Sequence, residues 1–360
     1  MAEPRVIHLV PALFGARGVT GGAERYALEL ARAMAQRVST TLVTFGPKAS
    51  VESDGPLNIR VLGPARHVRG QATNPMAPGL FRALRHANVI HCHQQHVVAS
   101  SAAAVFARLT RRTVVVSDLG GGGWDISGYV STDRWYHAHL HLSAFSRKAF
   151  GHEGLGNAHV IYGGVDTVRF CPDPSVPREA FVLYVGRVLP HKGVDDLIEG
   201  LPHDLPLVVA GRVVDSRFRS DLDALARGKR VTFRDDLDDD ALIAHYRRAM
   251  CIVLPSVHRT RYGQTTGIPE LLGQTLLEGM ACGTPAVATS VASLPEVVTD
   301  GVTGLLVPPN DPTALRAALT RLRDNPAWAR ALGESARRDV EARFVWDRVV
   351  QTCLEVYSRV

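Results

Sequence analysis

Two glutamates around one predicted helix start are the best candidates for chemistry in this chain. Glu270 and Glu278 belong to the run PELLGQTLLEGMACGTP at residues 269–285, and Gly273 between them allows the backbone to turn sharply. The amides from Gly273 to Leu276 would be the unpaired donors of a helix N-terminus, a common site for phosphate. Glu278 would lie about 8 Å further along the axis, where it could accept hydrogen bonds from two neighbouring hydroxyl groups such as those of ribose. The alternative is an amphipathic helix with two solvated acids.

A pair of cations follows an apolar stretch earlier in the chain. Arg187 and Lys192 lie in the run VGRVLPHKG at residues 185–193, which begins and ends near a glycine. Arginine can bind two phosphate oxygens at once, whereas lysine acts as a point charge on a flexible stem. Such cations would stabilise the negative charge of a bound diphosphate, so we expect no essential Mg²⁺ or Mn²⁺. Taken alone, the two residues could equally be ordinary surface charges.

Other segments accompany these two runs in a fixed order. They are the glycine-rich GGAER at residues 21–25, VIYGGVDTVRF at 160–170 and GVTGLLVPPNDP at 301–312. Together with the cationic and glutamate runs, they resemble the motifs of the retaining glycosyltransferases of family 4, the GT-B group 1 glycosyltransferases that include glycogen synthase-like and mannosyltransferase-like enzymes. The resemblance covers nearly the whole chain and is strongest beyond residue 160.

This resemblance implies an enzyme that transfers a sugar from a nucleotide diphosphate sugar to a hydroxyl acceptor with retention of configuration. The donor would be a UDP-, GDP- or dTDP-sugar, with no metal or other cofactor, and the acceptor a glycan, a lipid-linked molecule or a small molecule. The family reaction is described as front-face substitution, in which the leaving phosphate takes the acceptor's proton. This differs from glycoside hydrolases, in which one carboxylate is the nucleophile.

The resemblance also implies roles for single residues. Glu270 would contact the transferred sugar, Glu278 would hold the ribose, and Arg187 and Lys192 would stabilise the diphosphate. The other candidates for donor binding are Gly21, Gly22, Gly186, Leu272, Gly273, Gln274 and Thr275.

One segment of the first half departs from the family pattern. Many relatives carry a histidine that meets the donor sugar after a strand at this point, but here Asp118 or Leu119 takes that place, depending on a one-residue shift. Asp118 could accept a hydrogen bond from a sugar hydroxyl, and the glycines at 120–123 could form a mobile lid. Alternatively, Asp118 caps a turn and the glycines form a plain loop. We retain Asp118 as a catalytic candidate.

Histidines are concentrated in the first half of the chain. They occur at His91, His93 and His96, and again at His137, His139 and His141. No carboxylate or cysteine completes a closed ligand set around the first group, and alternate histidines fit one face of a strand. We therefore favour hydrogen-bonded structural histidines over a metal site. His93, where a predicted strand meets its loop, is the candidate for contact with the acceptor.

Apolar runs alternate with helical patterns and predict two α/β domains. The predicted strands are residues 5–10, 40–45, 89–92, 112–117, 181–185, 207–210, 230–233, 251–254, 285–288 and 305–307. Such alternation indicates parallel sheets covered by helices, and the proline-rich run at 172–177 reads as a linker. We therefore predict the GT-B fold, two facing Rossmann-like domains around a cleft. The predicted limits are 1–172 and 173–344, and the resemblance implies that a helix at 345–360 returns to the first domain.

Charge and composition limit where the protein could act. Residues 1–172 hold 18 Lys and Arg against 10 acidic residues, a net charge of +8, whereas the remainder is at −2. The basic half makes contact with an anionic acceptor or an anionic membrane surface a hypothesis, with solvated charge as the alternative. Its candidate cations are Arg82, Arg85, Arg108, Arg111 and Arg112. The five scattered cysteines and the lack of a long apolar span favour a cytoplasmic protein, peripheral to a membrane at most, and we expect no nucleic-acid partner.

Other functions remain open from the residues alone. A nucleotide-sugar epimerase, or a catalytically silent protein that binds sugar nucleotides, would share the fold. A glycoside hydrolase could use Glu270 and Glu278, but it would leave Arg187 and Lys192 without a role. A dinucleotide-dependent oxidoreductase is disfavoured because the glycines after Val10 lack the spacing of the dinucleotide-binding motif.

Overall fold

The computed structural model describes residues 4–11, 21–120 and 123–360, which form two compact units. Unit 1 comprises the described residues of Met1–Leu142 together with Phe150–Gly164 and Trp346–Val360. Unit 2 comprises Ser143–Ala149 and Val165–Val345. The chain therefore passes from unit 1 to unit 2 ahead of the proline-rich linker on which the predicted boundary rested.

Unit 1 is built on an eight-stranded sheet with the strand order β10-β9-β8-β7-β1-β2-β4-β3. All the neighbours pair in parallel except β3 and β4, and β5 and β6 form a separate antiparallel pair. The strands of unit 1 are β1 (Val6–Leu9), β2 (Thr40–Phe45), β3 (Ser50–Asp54), β4 (Leu57–Leu62), β5 (Arg66–His67), β6 (Pro75–Met76), β7 (Val89–Cys92), β8 (Thr113–Val116), β9 (Ala138–His141) and β10 (Ala158–Val160).

Unit 2 is built on a six-stranded sheet in which all the pairs are parallel, with the order β13-β12-β11-β14-β15-β16. Its strands are β11 (Val182–Val185), β12 (Leu207–Ala210), β13 (Val231–Arg234), β14 (Cys251–Leu254), β15 (Ala286–Thr289) and β16 (Gly304–Val307). Continuous apolar strands such as β11 and β14 are buried along their whole length, as expected for a parallel sheet with helices on its faces.

Helices cover both sheets. They are α1 (Gly22–Ala35), α2 (Leu80–Leu84), α3 (Val98–Leu109), α4 (Ala144–Ala149), α5 (Val194–Gly200), α6 (Ser216–Leu225), α7 (Asp239–Arg248), α8 (Gln274–Ala281), α9 (Leu294–Val297), α10 (Pro312–Asp324), α11 (Pro326–Arg343) and α12 (Trp346–Arg359). Within unit 1, α12 packs on α1, where the rings of Tyr26 and Trp346 lie 5.4 Å apart. The fold is thus a mixed α/β fold with parallel sheets in two domains.

No helix among the described residues combines the length and the apolar character that crossing a bilayer requires. The five cysteines are free thiols. Burial raises the pKa of Cys92, Cys251, Cys282 and Cys353 to about 12, so these thiols are poor nucleophiles at neutral pH.

Candidate functional site

Lys192 and Glu270 form an ion pair in unit 2. The Lys192 Nζ lies 2.7 Å from Glu270 Oε2 and also donates to the Pro269 carbonyl over 2.9 Å. Both side chains are mostly buried, with 14% and 16% of their surface exposed. An ammonium has three donor hydrogens, so Lys192 can bind a ligand oxygen in addition to these two contacts.

The backbone that carries Lys192 depends on a glycine. A 3-10 turn spans Pro190–Lys192, and Gly193 follows it with φ 68° before α5 begins. A Cβ at Gly193 would lie 2.0 Å from the Pro255 carbonyl oxygen, just beyond β14. The turn therefore packs backbone to backbone against the end of the neighbouring strand, and this contact sets the position of Lys192.

Arg187 stands at the carboxyl end of β11. Tyr184 donates its hydroxyl hydrogen to the Arg187 carbonyl over 2.8 Å, which holds the backbone of this loop. The Arg187 side chain is exposed, and its guanidinium makes no hydrogen bond or ion pair with any residue that the structure describes. Gly186, with φ 146°, precedes it, and a Cβ at Gly211 would clash with the Gly186 carbonyl. The ends of β11 and β12 thus approach closely at this loop.

The electrostatic surroundings of His191 show that the predicted cations and Glu270 share one neighbourhood. Burial lowers the pKa of His191, the positive charges of Lys192 and Arg187 lower it further, and Glu270 opposes them. The structure therefore brings together Arg187, Lys192 and Glu270, which are separated by up to eighty-three residues in the sequence (270 − 187).

The segment after Glu270 leads into the N-terminus of α8. Gly273 is the N-cap with φ 89°, a conformation that favours glycine, and its carbonyl accepts the amides of Leu276 and Leu277. Leu272 has a buried side chain, so it could contribute only backbone to a donor site. Gln274 and Thr275 are partly exposed in the first turn. A helix N-terminus of this kind favours an anion.

Two serines that the sequence analysis missed support this segment. Ser143 donates to the Leu271 carbonyl over 2.7 Å, and Ser293 donates to the Glu270 carbonyl over 3.4 Å. Ser143 comes from the first half of the sequence but belongs to unit 2. No local pattern marks such long-range contacts, because each serine acts through a backbone carbonyl of a segment more than twenty residues away (293 − 270 = 23 for the shorter separation).

Glu278 lies inside unit 2. Its side chain is buried, and Oε2 accepts the hydroxyl hydrogen of Tyr246 on α7 over 2.8 Å. A carboxylate has two oxygens with several acceptor positions, so this bond leaves the ribose role chemically feasible. That role stays a prediction. Tyr246 was not anticipated from the sequence.

Gly21 and Gly22 are at the start of α1 in unit 1. Gly21 is the extended N-cap, and its carbonyl accepts the Arg25 amide over 3.1 Å. A Cβ on Gly21 would lie 2.8 Å from Glu24 Oε2, whereas a Cβ on Gly22 would meet open space. The helix start therefore resembles the predicted phosphate cradle in form, and phosphate binding by these glycines stays a prediction.

Asp118 caps a turn and also faces a histidine. Oδ1 accepts the Gly120 amide over 3.0 Å, and Oδ2 lies 3.7 Å from Nε2 of His96. Burial raises the pKa of Asp118, and the Gly120 amide and His96 oppose this shift. Leu119, the other residue considered for this position, is buried. Gly121 and Gly122 of the proposed lid lie outside the described residues.

His93 is buried in a cluster of three histidines. Its Nε2 lies 2.8 Å from Nδ1 of His8, so one ring donates to the other. His8 on β1 stands in register with His91 on β7, a neighbour that the sequence analysis did not consider. Nothing in this buried position favours the predicted acceptor contact. His96, 41% exposed, is the more accessible histidine of the same loop.

The described residues contain two groups whose ligand atoms lie close enough to hold a metal ion. They are His8, His91 and His93, and Asp133, His139 and His152, each with ligand atoms within 4.8 Å of one another. Both nitrogens of His91 already have partners, Ser117 and Tyr357. In the second group, the His139 ring bonds the Asp133 carbonyl. The sequence argument against a metal missed His8 as a third ligand; the absence of a metal requirement stays a prediction.

Two family models match the chain. The model for glycosyl transferases group 1 matches residues 173–339, and the model for glycosyltransferase family 4 matches residues 20–169. The two matches are adjacent and together span most of the chain.

Curated relatives match over part of the chain. A glycogen synthase of Mycobacterium tuberculosis is 33% identical over 213 residues, which cover 57% of this chain and 49% of that protein. A D-inositol 3-phosphate glycosyltransferase of Salinispora tropica is 32% identical over 230 residues, or 55% of this chain and 45% of that protein. The chain thus spans about half the length of the curated relatives it matches.

Solved structures match along nearly the whole chain. Sucrose-phosphate synthase from Thermosynechococcus elongatus has a TM-score of 0.74 at 22% identity, over 99% of this chain and 98% of that one. HepE of Anabaena, solved with UDP and glucose, has a TM-score of 0.75 at 18% identity, over 99% and 100%. These likenesses show the fold, which is the GT-B fold predicted from the sequence.

Proposed function

Because this chain belongs to the group 1 glycosyltransferases, we propose that it transfers a sugar from a nucleotide diphosphate sugar to a hydroxyl acceptor. The observation that carries the proposal is the Lys192–Glu270 ion pair, formed beside Arg187 in the segment that leads into α8. A pair of cations and a helix N-terminus are the groups that a diphosphate requires.

In this proposal, Arg187, Lys192 and the first turn of α8 bind the diphosphate. Bond cleavage between the sugar and the diphosphate increases the negative charge on the leaving oxygen. Cations and helix amides close to this oxygen lower the barrier, because they stabilise the negative charge that develops there. Arg187 is exposed and has no other partner among the described residues, so it can close on the phosphate oxygens without breaking a bond of the protein.

Glu270 serves the transferred sugar. Its Oε2 is held by Lys192, and its backbone carbonyl is held by Ser293, which together fix the direction of the carboxylate. A carboxylate in this state accepts hydrogen bonds from sugar hydroxyls with its remaining lone pairs. Glu270 therefore orients the sugar while Lys192 couples that orientation to the diphosphate.

We propose further that transfer retains the anomeric configuration and requires no divalent metal. In a front-face reaction, the acceptor oxygen attacks the anomeric carbon from the side of the departing diphosphate. The new glycosidic bond forms as the bond to the diphosphate breaks, and the acceptor's proton passes to the diphosphate oxygen. Arg187 and Lys192 supply the positive charge that a metal would otherwise provide.

The test is a panel of UDP-, GDP- and dTDP-sugars incubated with the protein in the presence of EDTA. We expect one donor to be cleaved, at a rate that EDTA does not change, and NMR to show the same anomeric configuration in donor and product. Inversion would contradict the proposed mechanism, and a requirement for added metal would contradict metal independence. If every donor binds but none is consumed, the protein is a silent sugar-nucleotide binder. An altered free sugar nucleotide would instead identify an epimerase.

A further inference from the structure

An apolar groove lies on unit 1, away from the strand-end residues described above. Its volume is about 590 Å³, within the range of pockets that hold one small ligand. α3 forms one wall, and the segment from Trp124 to Trp135 forms much of the other. The lining residues include Phe81, Val105, Phe106, Leu109, Trp124 and Tyr129.

Several large apolar side chains in this groove are exposed. Leu109 is 79% exposed and Tyr129 is 72% exposed, although side chains with this much exposure are more often polar. The walls are ordered by ring contacts, since the rings of Phe81 and Phe106 stack at 5.4 Å and Trp124 meets Tyr129 edge-on at 6.3 Å. A contiguous, preformed apolar surface of this kind marks a binding site more often than chance exposure.

Arginines contact the aromatic walls. The guanidinium of Arg69 lies 3.9 Å from the centre of the Trp124 ring, and that of Arg112 lies 5.5 Å from the centre of the Phe106 ring. Arg108 donates to the Trp135 carbonyl over 3.0 Å. These arginines lie beside the apolar groove. The groove and the arginines together are complementary to a molecule with an apolar chain and an anionic head.

The one acidic residue among the lining residues accepts hydrogen bonds from neighbouring serines. Asp125 is buried and accepts hydrogen bonds from the hydroxyl groups of Ser101 and Ser127. Ser127 in turn lies 2.8 Å from Nδ1 of His96, whose other nitrogen faces Asp118. A continuous polar path therefore connects the wall of the groove with the candidate sugar-binding carboxylate of unit 1.

We propose that the groove binds the apolar chain of a single lipid-like acceptor, with its anionic head group against the arginines. This inference rests on the proposed function, because it assigns the chemical class of the acceptor. The volume of the groove, about 590 Å³, suits a single chain of this kind. The polar path links the wall of the groove to Asp118, which the sequence analysis retained as a catalytic candidate.

Farnesyl phosphate, used below its critical micelle concentration, tests the proposal by isothermal titration calorimetry. The variant Val105→Glu places a carboxylate in the groove. Val105 lies on α3 and is 43% exposed, so the protein should still fold with this substitution. We expect it to weaken binding at least about tenfold, because an unpaired charge must be desolvated against the chain. The matched control is Val51→Glu, at an exposed valine of unit 1 outside the groove, which should bind like wild type.

Two further measurements separate the possible occupants. Farnesol should bind more weakly than farnesyl phosphate, and Arg69→Gln should reduce that difference, because the cation attracts the phosphate. Equal binding of farnesyl phosphate by wild type and Val105→Glu would overturn the proposal. Binding only to anionic phospholipid vesicles would also overturn it, in favour of a membrane surface.

Failure of this inference is distinguishable from failure of the proposed function. The proposed function assigns the diphosphate to Arg187, Lys192 and the first turn of α8, all in unit 2, so Val105→Glu should leave UDP affinity unchanged. If farnesyl phosphate binds in the groove but no sugar nucleotide is cleaved, the groove is a lipid-binding site and the proposed transferase activity is wrong. If donors are cleaved but the chain does not bind, the groove proposal alone is wrong.

Discussion

Glu270 and Lys192 depend on each other for their orientation. Each is mostly buried, so loss of either partner leaves a charge with few other contacts. We expect Glu270→Ala to lower kcat at least about 100-fold, because it removes a contact to the sugar that is made in the transition state. UDP affinity, measured by calorimetry, should stay within a few fold of wild type. Unchanged turnover would contradict the role assigned to Glu270.

Residue types and the family resemblance together pointed to Arg187, Lys192 and Glu270, and the structure brings these three residues into one neighbourhood, whereas their roles stay predictions. The partners that orient them could not be predicted. Tyr246 bonds Glu278, and His96 faces Asp118, through contacts that depend on how distant segments pack. The position of His93 at a strand end suggested an accessible side chain, but His93 is buried and bonds His8 of β1, and its contact with the acceptor stays a prediction.

The turn between β11 and α5 gives a prediction about a single element. At Gly193, φ is 68° and a Cβ would lie 2.0 Å from a backbone oxygen. Gly193→Ala should therefore lower the free energy of unfolding. The loss should be at least about 2 kcal/mol larger than for Gly→Ala at a site where the positive φ is the only source of strain. Gly228→Ala is the matched control in unit 2, because φ there is 75° and a Cβ would meet open space. Urea unfolding measures both; equal losses would show that the close packing of the turn is unimportant.

Most strands and the main helices followed from local patterns. The apolar runs at 181–185 and 251–254 became β11 and β14, because continuous apolar stretches of this length are typical of buried parallel strands. The sequence could not predict that α4 belongs to unit 2. It is fixed by Glu296, which accepts the amides of Ala144 and Phe145 over 2.8 Å, a contact across about 150 residues of sequence.

Buried histidines make the stability of the protein depend on pH. Burial lowers the pKa of His8 to about 3 and of His139 to about 4, and it lowers those of His91 and His93 well below the ordinary value. The unfolded chain then binds more protons than the folded chain below pH 6.5. Unfolding free energy should therefore fall as pH drops from 6.5 to 4, because protons bind to these histidines in the unfolded chain first.

Urea titrations at several pH values measure this slope. His8→Gln should make it shallower, because one group that must stay neutral in the fold is removed. Asp195 acts in the opposite direction: burial and Asp196 raise its pKa to about 6, so its contribution grows as pH falls from 6. A stability that is constant or rises between pH 6.5 and 4 would contradict the assignment of neutral, buried histidines.

At the level of the whole chain, the sequence predicted the two-domain α/β architecture because its motifs and apolar runs occur in both halves. The resemblance correctly implied that the final helix returns to the first domain, since residues 346–360 belong to unit 1, but nothing in the sequence predicted that residues 143–149 belong to unit 2. Such assignments depend on which surfaces of a helix find partners. An amphipathic pattern such as that of α12 shows that one face is buried but not against which element.

The central claim is that Arg187 and Lys192 bind the diphosphate of the donor. Calorimetric titration of UDP, GDP and dTDP in EDTA tests it most directly, with wild type, Arg187→Ala, Lys192→Met and, as a control, Arg338→Ala on the exposed side of α11. We predict that each of the first two variants weakens binding of the preferred nucleotide by about 10- to 100-fold, the value of a charge-assisted hydrogen bond, while the control binds like wild type. Wild-type affinity in both Arg187→Ala and Lys192→Met would contradict the account.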